Sequence, residues 1–217
     1  MRIIPRTRAD FIRLGVLFAL LVAACVYSKA QVLLYRLAYR PHEGDIIFQS
    51  LPHGDLVDAI EGATHSPFSH VGVVLLDEQG KWVVIEAIGS VHETPLLQWM
   101  QRGRGAGVAI YRLKREYSSR LPEFKKYLLS FSGLPYDFDY EFSDRAIYCS
   151  ELVFKAFRKT TGEEMGKTQQ LGELDWKPHS EFIQSVQGGT LPLDRLMITP
   201  VSLSRAPQME LVRRMGM

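Results

Sequence analysis

His70-Val71-Gly72-Val73-Val74-Leu75-Leu76, then Asp77-Glu78-Gln79-Gly80-Lys81, then Trp82-Val83-Val84-Ile85-Glu86-Ala87-Ile88 is the stretch that decides the fold. Two runs rich in β-branched residues, joined by a short polar segment, read as a β-hairpin. A loop of Glu78-Gln79-Gly80 with glycine last fits a type I turn closed by a left-handed residue. That loop fixes the register. Leu76 then faces Trp82, Gly72 faces Glu86 and His70 faces Ile88, so His70 and Glu86 are diagonal neighbours on one face. Gly72 leaves room between them. Each residue alone has a plain reading, a satisfied core histidine and a strand-end carboxylate reaching solvent. Together they explain each other, because an unpaired carboxylate between Val83-Val84-Ile85 and Ala87-Ile88 would be costly. An imidazole oriented by a carboxylate is what a general base requires.

Outward from the hairpin, Gly44-Asp45 leads into a short strand at Ile46-Ile47-Phe48, and Gly54 to Gly62 carries Leu56 and Ile60 on one face of a short helix. Thr94-Pro95 reads as an N-cap followed by proline at the first helical position, with the helix stopping near Gly103. Val108 to Leu113 is a further strand. Leu121, Phe124, Leu128 and Phe131 share one face of a helix begun by Pro122 and ended by Gly133. Ser150 to Thr161 is another helix, with Leu152, Val153, Ala156 and Phe157 apolar. Strands gathered in the first part and flanked by helices indicate an α+β fold with an antiparallel sheet or barrel packed against helices.

The chain has 217 residues, 46% of them hydrophobic and 23% charged. With a mean hydropathy of −0.05 this excludes disorder, collagen-like repeats and a polytopic membrane protein. Arg2, Arg6, Arg8 and Arg13 against Asp10 give the first residues a local charge of +3, out of +2 for the whole chain, so the remainder carries −1. Nothing therefore argues for a nucleic-acid partner. Behind the basic residues, Leu14 to Ala24 is uninterruptedly apolar but shorter than the roughly 20 residues of a spanning helix. A basic flank, a short apolar run and small residues at its end read as an export signal. Val22-Ala23-Ala24-Cys25 resembles a bacterial lipobox, with Val22 where Leu is more usual. An uncleaved anchor, with Arg13 and Lys29 at the two interfaces, is the other reading. The expected organisation is a leader or anchor at 1–27, a connecting segment at 28–42 and a single domain at 43–217, in the exported cell envelope and attached to the membrane through the N-terminal segment.

Cysteine usage sharpens the search. Cys25 belongs to the leader, which leaves Cys149 without a partner in the domain. A lone buried cysteine is usually a small hydrophobe. This one, however, immediately precedes the helix of Ser150 to Thr161. There the unpaired N–H groups and the helix dipole favour a thiolate. The same N–H groups could hold an oxyanion.

Four motifs occur in order: Gly44-Asp45-Ile46-Ile47-Phe48, Ser69-His70-Val71-Gly72-Val73-Val74, Ile85-Glu86-Ala87 and Tyr148-Cys149-Ser150-Glu151-Leu152-Val153. They resemble the circularly permuted branch of the NlpC-type cysteine hydrolases, the YiiX/YebB-like family of the papain-like superfamily, in which the histidine and the third residue precede the cysteine. Leu134-Pro135-Tyr136-Asp137 and Ile198-Thr199-Pro200 also resemble that family's flanking motifs, and the match runs from about Glu43 to Leu203. The resemblance implies a papain-like fold with Cys149 as nucleophile, His70 as base and Glu86 as orienting residue. It also implies contributions from Tyr136 and Ser150 to an oxyanion or substrate site. Unpermuted members carry Asp-Cys-Ser-Gly where this chain has Tyr148-Cys149-Ser150-Glu151, so their substrate contacts do not transfer. The implied activity is cysteine amidase chemistry on peptidoglycan stem peptides. Related permuted enzymes resembling lecithin–retinol acyltransferase move lipid acyl groups and carry Asn-Cys-Glu-His, absent here. A binding protein that kept the fold without the activity is the third reading.

No cofactor or metal is expected. Asp137, Asp139, Glu141 and Asp144 imitate a calcium loop, but Phe142 stands where glycine is needed and Tyr148 where the last glutamate belongs. His42, His53, His65, His92 and His179 lack zinc spacing. His92 and Glu93 are fallback candidates for the third catalytic role, and Asp137 is a candidate for shaping the site. Gly103, Gly105 and Gly107 follow a helix rather than opening one, so they form no phosphate loop.

Overall fold

Leu76 pairs with Trp82, Val74 with Val84 and Val73 with Ile85, the register that the loop length dictates. Asp77 N–H donates to the Lys81 carbonyl at 2.9 Å and Gly80 takes φ +72°, so glycine supplies the left-handed residue that closes the turn. Asp77 Oδ1 accepts from the N–H groups of Gln79 and Lys81, which rigidifies the loop.

The computed structural model describes residues 12–20, 22–23 and 39–216. Residues up to Arg40 and from Pro41 onward form separate units. In the first unit residues 12–20 are helical, with Leu14, Leu17, Phe18 and Leu20 exposed. No helix among the described residues is long and apolar enough to cross a membrane. Most of the basic flank, Cys25 and the segment 28–38 lie outside the described residues, and with them the lipobox reading.

In the second unit six antiparallel strands form one sheet: β1 (Ile46–Gln49), β2 (His70–Leu76), β3 (Trp82–Ile88), β4 (Ser90–Pro95), β5 (Val108–Leu113) and, beyond a two-stranded β6 (Gln169–Gln170) and β7 (Leu196–Met197), β8 (Met209–Met215). Their order is β4-β3-β2-β1-β5-β8. The helices are α1 (Asp55–Thr64), α2 (Leu96–Arg102), α3 (Leu121–Ser130), α4 (Cys149–Thr161), α5 (Ser180–Val186) and α6 (Pro200–Ser204). Alternation along the strands sorts the two faces. Phe48, Val71, Val73 and Ile85 join Phe124 and Leu128 of α3 and Leu152 and Phe157 of α4 in the main core. Each such side chain contributes about 1.5–3 kcal/mol of burial. Ile47, Val74, Val84 and Ile110 are buried as well, with Trp99 and Met100 of α2.

Two strands of the six-stranded sheet, and the short β6–β7 pair, escape the sequence reading. Glu86 pairs with His92 and Val84 with Thr94 after the chain reverses at Gly89, so Ser90 to Pro95 is a strand and Thr94 is not an N-cap. Its polar sequence hides it, and tertiary pairing overrides the capping signal. Pro95 occupies the cap position of α2 and no side chain caps that helix. β8 is largely exposed, so it lacks the apolar alternation that would betray it.

Candidate active site

β2 and β3 bring the two predicted residues together. His70 Nε2 lies 2.5 Å from Glu86 Oε2, and both side chains are almost fully buried, at 3% and 0% exposure. Between them lies Gly72, where there is no room for a side chain. A Cβ there would stand 2.4 Å from Val84 Cγ1, 3.0 Å from the Ile85 carbonyl oxygen and 3.5 Å from Glu86 Cβ.

The third member arrives from α4, which packs against β2 and β3. Cys149 is the first residue of that helix and Tyr148 its extended N-cap. Tyr148 N–H donates to Glu151 Oε2 at 3.3 Å. Ile198 fixes the helix start twice, donating its N–H to the Tyr148 hydroxyl at 3.0 Å and accepting from Ser150 Oγ at 2.7 Å. The Cys149 thiol lies within hydrogen-bonding reach of the His70 ring. With Nε2 committed to Glu86, Nδ1 is the nitrogen left for sulfur. Burial alone would push the His70 imidazolium down. The contacts with Cys149 and Glu86 outweigh it and raise the value to about 9.

Glu86 is the hub of a network that the sequence reading did not find. Thr94 Oγ1 donates to Oε1 at 2.6 Å, Trp99 Nε1 to Oε2 at 2.9 Å, and Arg102 Nη2 also donates to Oε2. Trp99 and Arg102, three residues apart, share one face of α2. Burial opposes ionisation of Glu86. His70 first, then Arg102 and Thr94, overcome it and hold the carboxyl at about 2. The signal for these partners was present, since a carboxylate inside an apolar strand demands donors. What was missing was the fold that brings α2 back to β3.

Beside Cys149 opens a cleft. Leu56, Ala59 and Ile60 of α1 form one wall, Phe182, Ile183 and Val186 of α5 another, and Cys149 with Ser150 line it as well. Its polar elements are few, among them Arg195, which donates to the Asp139 carbonyl and Gln187 Oε1. Tyr140 also lines the cleft, in a left-handed conformation at φ +56° that a non-glycine residue adopts only under local constraint. Its hydroxyl is 3.2 Å from that of Tyr136. Burial pushes both phenols upward, so each keeps a proton to donate.

Of the other predicted residues, Ser150 spends its hydroxyl on Ile198, and Tyr136 stands behind Tyr140 rather than lining the cleft. The imidazole of His92 is exposed and paired with the Ser90 carbonyl, and Glu93 is exposed, so it is Glu86 rather than either of these that contacts His70. Asp137 is buried and accepts from the N–H groups of Asp139 and Glu141, shaping the loop that carries Tyr140. Glu151, also buried, is paired with Lys155 at 2.8 Å, yet burial pushes its carboxyl up to about 7.

The chain matches, over residues 40–213, the family described as permuted papain-like amidase enzyme, YaeF/YiiX, C92 family. It is 34% identical over 183 residues to the uncharacterized protein YiiX of Escherichia coli K12, covering 82% of this chain and 88% of that one. The crystal structure described as metalloprotein yiiX from Escherichia coli O157:H7 superposes with a TM-score of 0.77 at 32% identity, over 82% of this chain and 99% of the other. The residues here do not fit a metal: among the described residues no three His, Cys, Asp or Glu side chains are grouped to hold one, and His70, Glu86 and Cys149 are engaged with one another. The α+β fold, the ordered motifs and the match over most of the sequence agree, and the chain belongs to the permuted papain-like amidase family.

Proposed function

We propose that the chain is an exported cysteine amidase, attached to the membrane through its N-terminal segment in the cell envelope, that works through an acyl thioester on Cys149. The observation that carries this reading is the chain of contacts Cys149–His70–Glu86 at the edge of the cleft. The Cys149 proton passes to His70 Nδ1 and the thiolate attacks the carbonyl carbon. The first N–H groups of α4 face the developing oxyanion. Tyr140, backed by Tyr136, is the phenol on that side of the cleft. Collapse breaks the C–N bond as His70 gives its proton to the leaving amine. The ring then takes a proton from water, hydroxide equivalent attacks the thioester, and the thiol is restored.

Two substrate classes meet these requirements. Peptidoglycan stem peptides are the class that the motif resemblance implied, and an exported enzyme would meet them. An apolar acyl group, on a lipid or an acylated amine, is favoured by one observation: α1 and α5 line the cleft with Leu56, Ile60, Phe182, Ile183 and Val186. A stem peptide carries charges that such walls do not pair. The cleft therefore weighs toward the apolar acyl group.

Amides of one amine with acyl chains of increasing length, assayed beside purified stem peptides, separate the two. Burial in the cleft predicts that kcat/KM rises about threefold to fourfold per added methylene until the cleft is filled. Turnover of stem peptides, with rates on acyl amides flat in chain length, would return the assignment to peptidoglycan. No turnover of either by protein with an unreactive Cys149 would leave a binding protein.

A further inference from the structure

Three of the four donors to Glu86 converge on Oε2, and two of them are cationic or can become so. His70 Nε2 and Arg102 Nη2 share that one oxygen, which sets the guanidinium close beside the ring. Trp99 fills the remaining side, its own N–H on Oε2 and its ring 5.9 Å from that of His70 at 31°. Arg102 makes no ion pair with any other acid among the described residues, and its side chain is 28% exposed.

From this geometry we propose that Arg102 is a positioning residue that regulates how tightly His70 holds its proton, acting through Glu86. The inference rests on the Cys149–His70–Glu86 assignment and deepens it. A carboxylate alone would stabilise an imidazolium strongly and make it a poor acid toward a leaving amine. The guanidinium, a fixed positive charge on the same oxygen, opposes that. With Arg102 present, the group His70–Glu86–Arg102 goes from neutral to +1 when the ring is protonated; without it, from −1 to neutral. The other groups facing the ring from each packed element are Cys149 on α4, Thr94 on β4 through Glu86, and the uncharged Gln49 opposite His70 on β1, with Tyr136 and Tyr140 behind the cysteine. None besides Arg102 brings a second positive charge.

Alkylation of Cys149 by iodoacetamide needs no knowledge of the substrate. A thiolate paired with an imidazolium changes reactivity when the imidazolium loses its proton, so the upper inflection of the rate–pH profile reports His70. Arg102→Met should move that inflection upward by about one pH unit, the low end of what a charge at this distance exerts. Arg102→Lys should restore it toward wild type. In acylation, Arg102→Met should slow amides, whose amine must be protonated, more than activated esters, whose leaving group needs no proton. A role confined to packing would lower both equally and leave the inflection in place, and that result would overturn the inference while leaving the proposed function standing. A wild-type thiol with no imidazole-linked inflection would overturn both.

Discussion

Replacing Gly72 by alanine tests the geometry on which the site is built. The new Cβ would stand 2.4 Å from Val84 Cγ1 and 3.0 Å from the Ile85 carbonyl oxygen, in a strand whose neighbours are fully buried. Alanine gains roughly 0.5–1 kcal/mol over glycine within a strand, whereas overpacking a dense interior costs about 1–3 kcal/mol. The net expectation is a loss of up to about 2.5 kcal/mol, borne by Val84 and the Ile85 carbonyl, while Glu86 Cβ at 3.5 Å stays in ordinary contact. Val84→Ala alone removes two buried methyl groups and costs about 2 kcal/mol. In the Val84→Ala background the worst contact is gone. Only the backbone oxygen must yield by a few tenths of an ångström, so Gly72→Ala becomes neutral or mildly stabilising. Urea unfolding of the four proteins closes a double-mutant cycle with an expected coupling of at least about 1 kcal/mol. Additive effects would mean that Gly72 does not sit against Val84, and the register that joins His70 to Glu86 would fall with it.

Thr94→Val removes what is, among the described residues, the one donor to Glu86 Oε1, a fully buried acceptor, and should cost about 1–3 kcal/mol in urea unfolding together with a reduced alkylation rate at Cys149; unchanged stability and rate would remove Thr94 from the network. Glu151 gives a pH test. Its folded-state value is raised to about 7 from 4.5, so its contribution to stability is fully present below about 4.5 and is lost as pH rises through about 7. Glu151→Gln imitates the protonated form and keeps an acceptor for the Tyr148 N–H. The melting temperature of Glu151→Gln relative to wild type should therefore rise between pH 5 and pH 8; a difference independent of pH would contradict the raised value.

The parts of this site that were legible in the sequence are those set by local rules. Loop length and strand alternation place His70 beside Glu86 sixteen residues away, and the helical stripe after Cys149 puts the thiol at an N-terminus. The meeting of Cys149 with His70 was not legible from spacing, because it depends on how α4 packs on the sheet; only the ordered motifs of a resembling family implied it. Thr94 was misread for a definite reason. Thr-Pro before an apolar run is a strong cap signature, but the hydroxyl meets a stronger demand in the Glu86 carboxylate, and the strand pairing of β4 wins. Arg102 and Trp99 carry no signal in isolation, since a basic residue in a last helical turn and an apolar tryptophan suit any helix. The cleft was hidden for the same reason. Leu56 and Ile60 read as the buried stripe of α1, and nothing local says that what they face is the opening beside Cys149, with α5 arriving from the last third of the chain.

The central claim is that His70, held by Glu86, activates Cys149. The most direct measurement is iodoacetamide labelling of folded wild type and His70→Asn near pH 6.5, with the modified cysteine identified by peptide mapping. The account predicts rapid labelling at Cys149 in wild type and a rate about a hundredfold lower in the variant, the low end of what a positioned base contributes. Equal rates in the two proteins, or a Cys149 that labels only after unfolding, would contradict it.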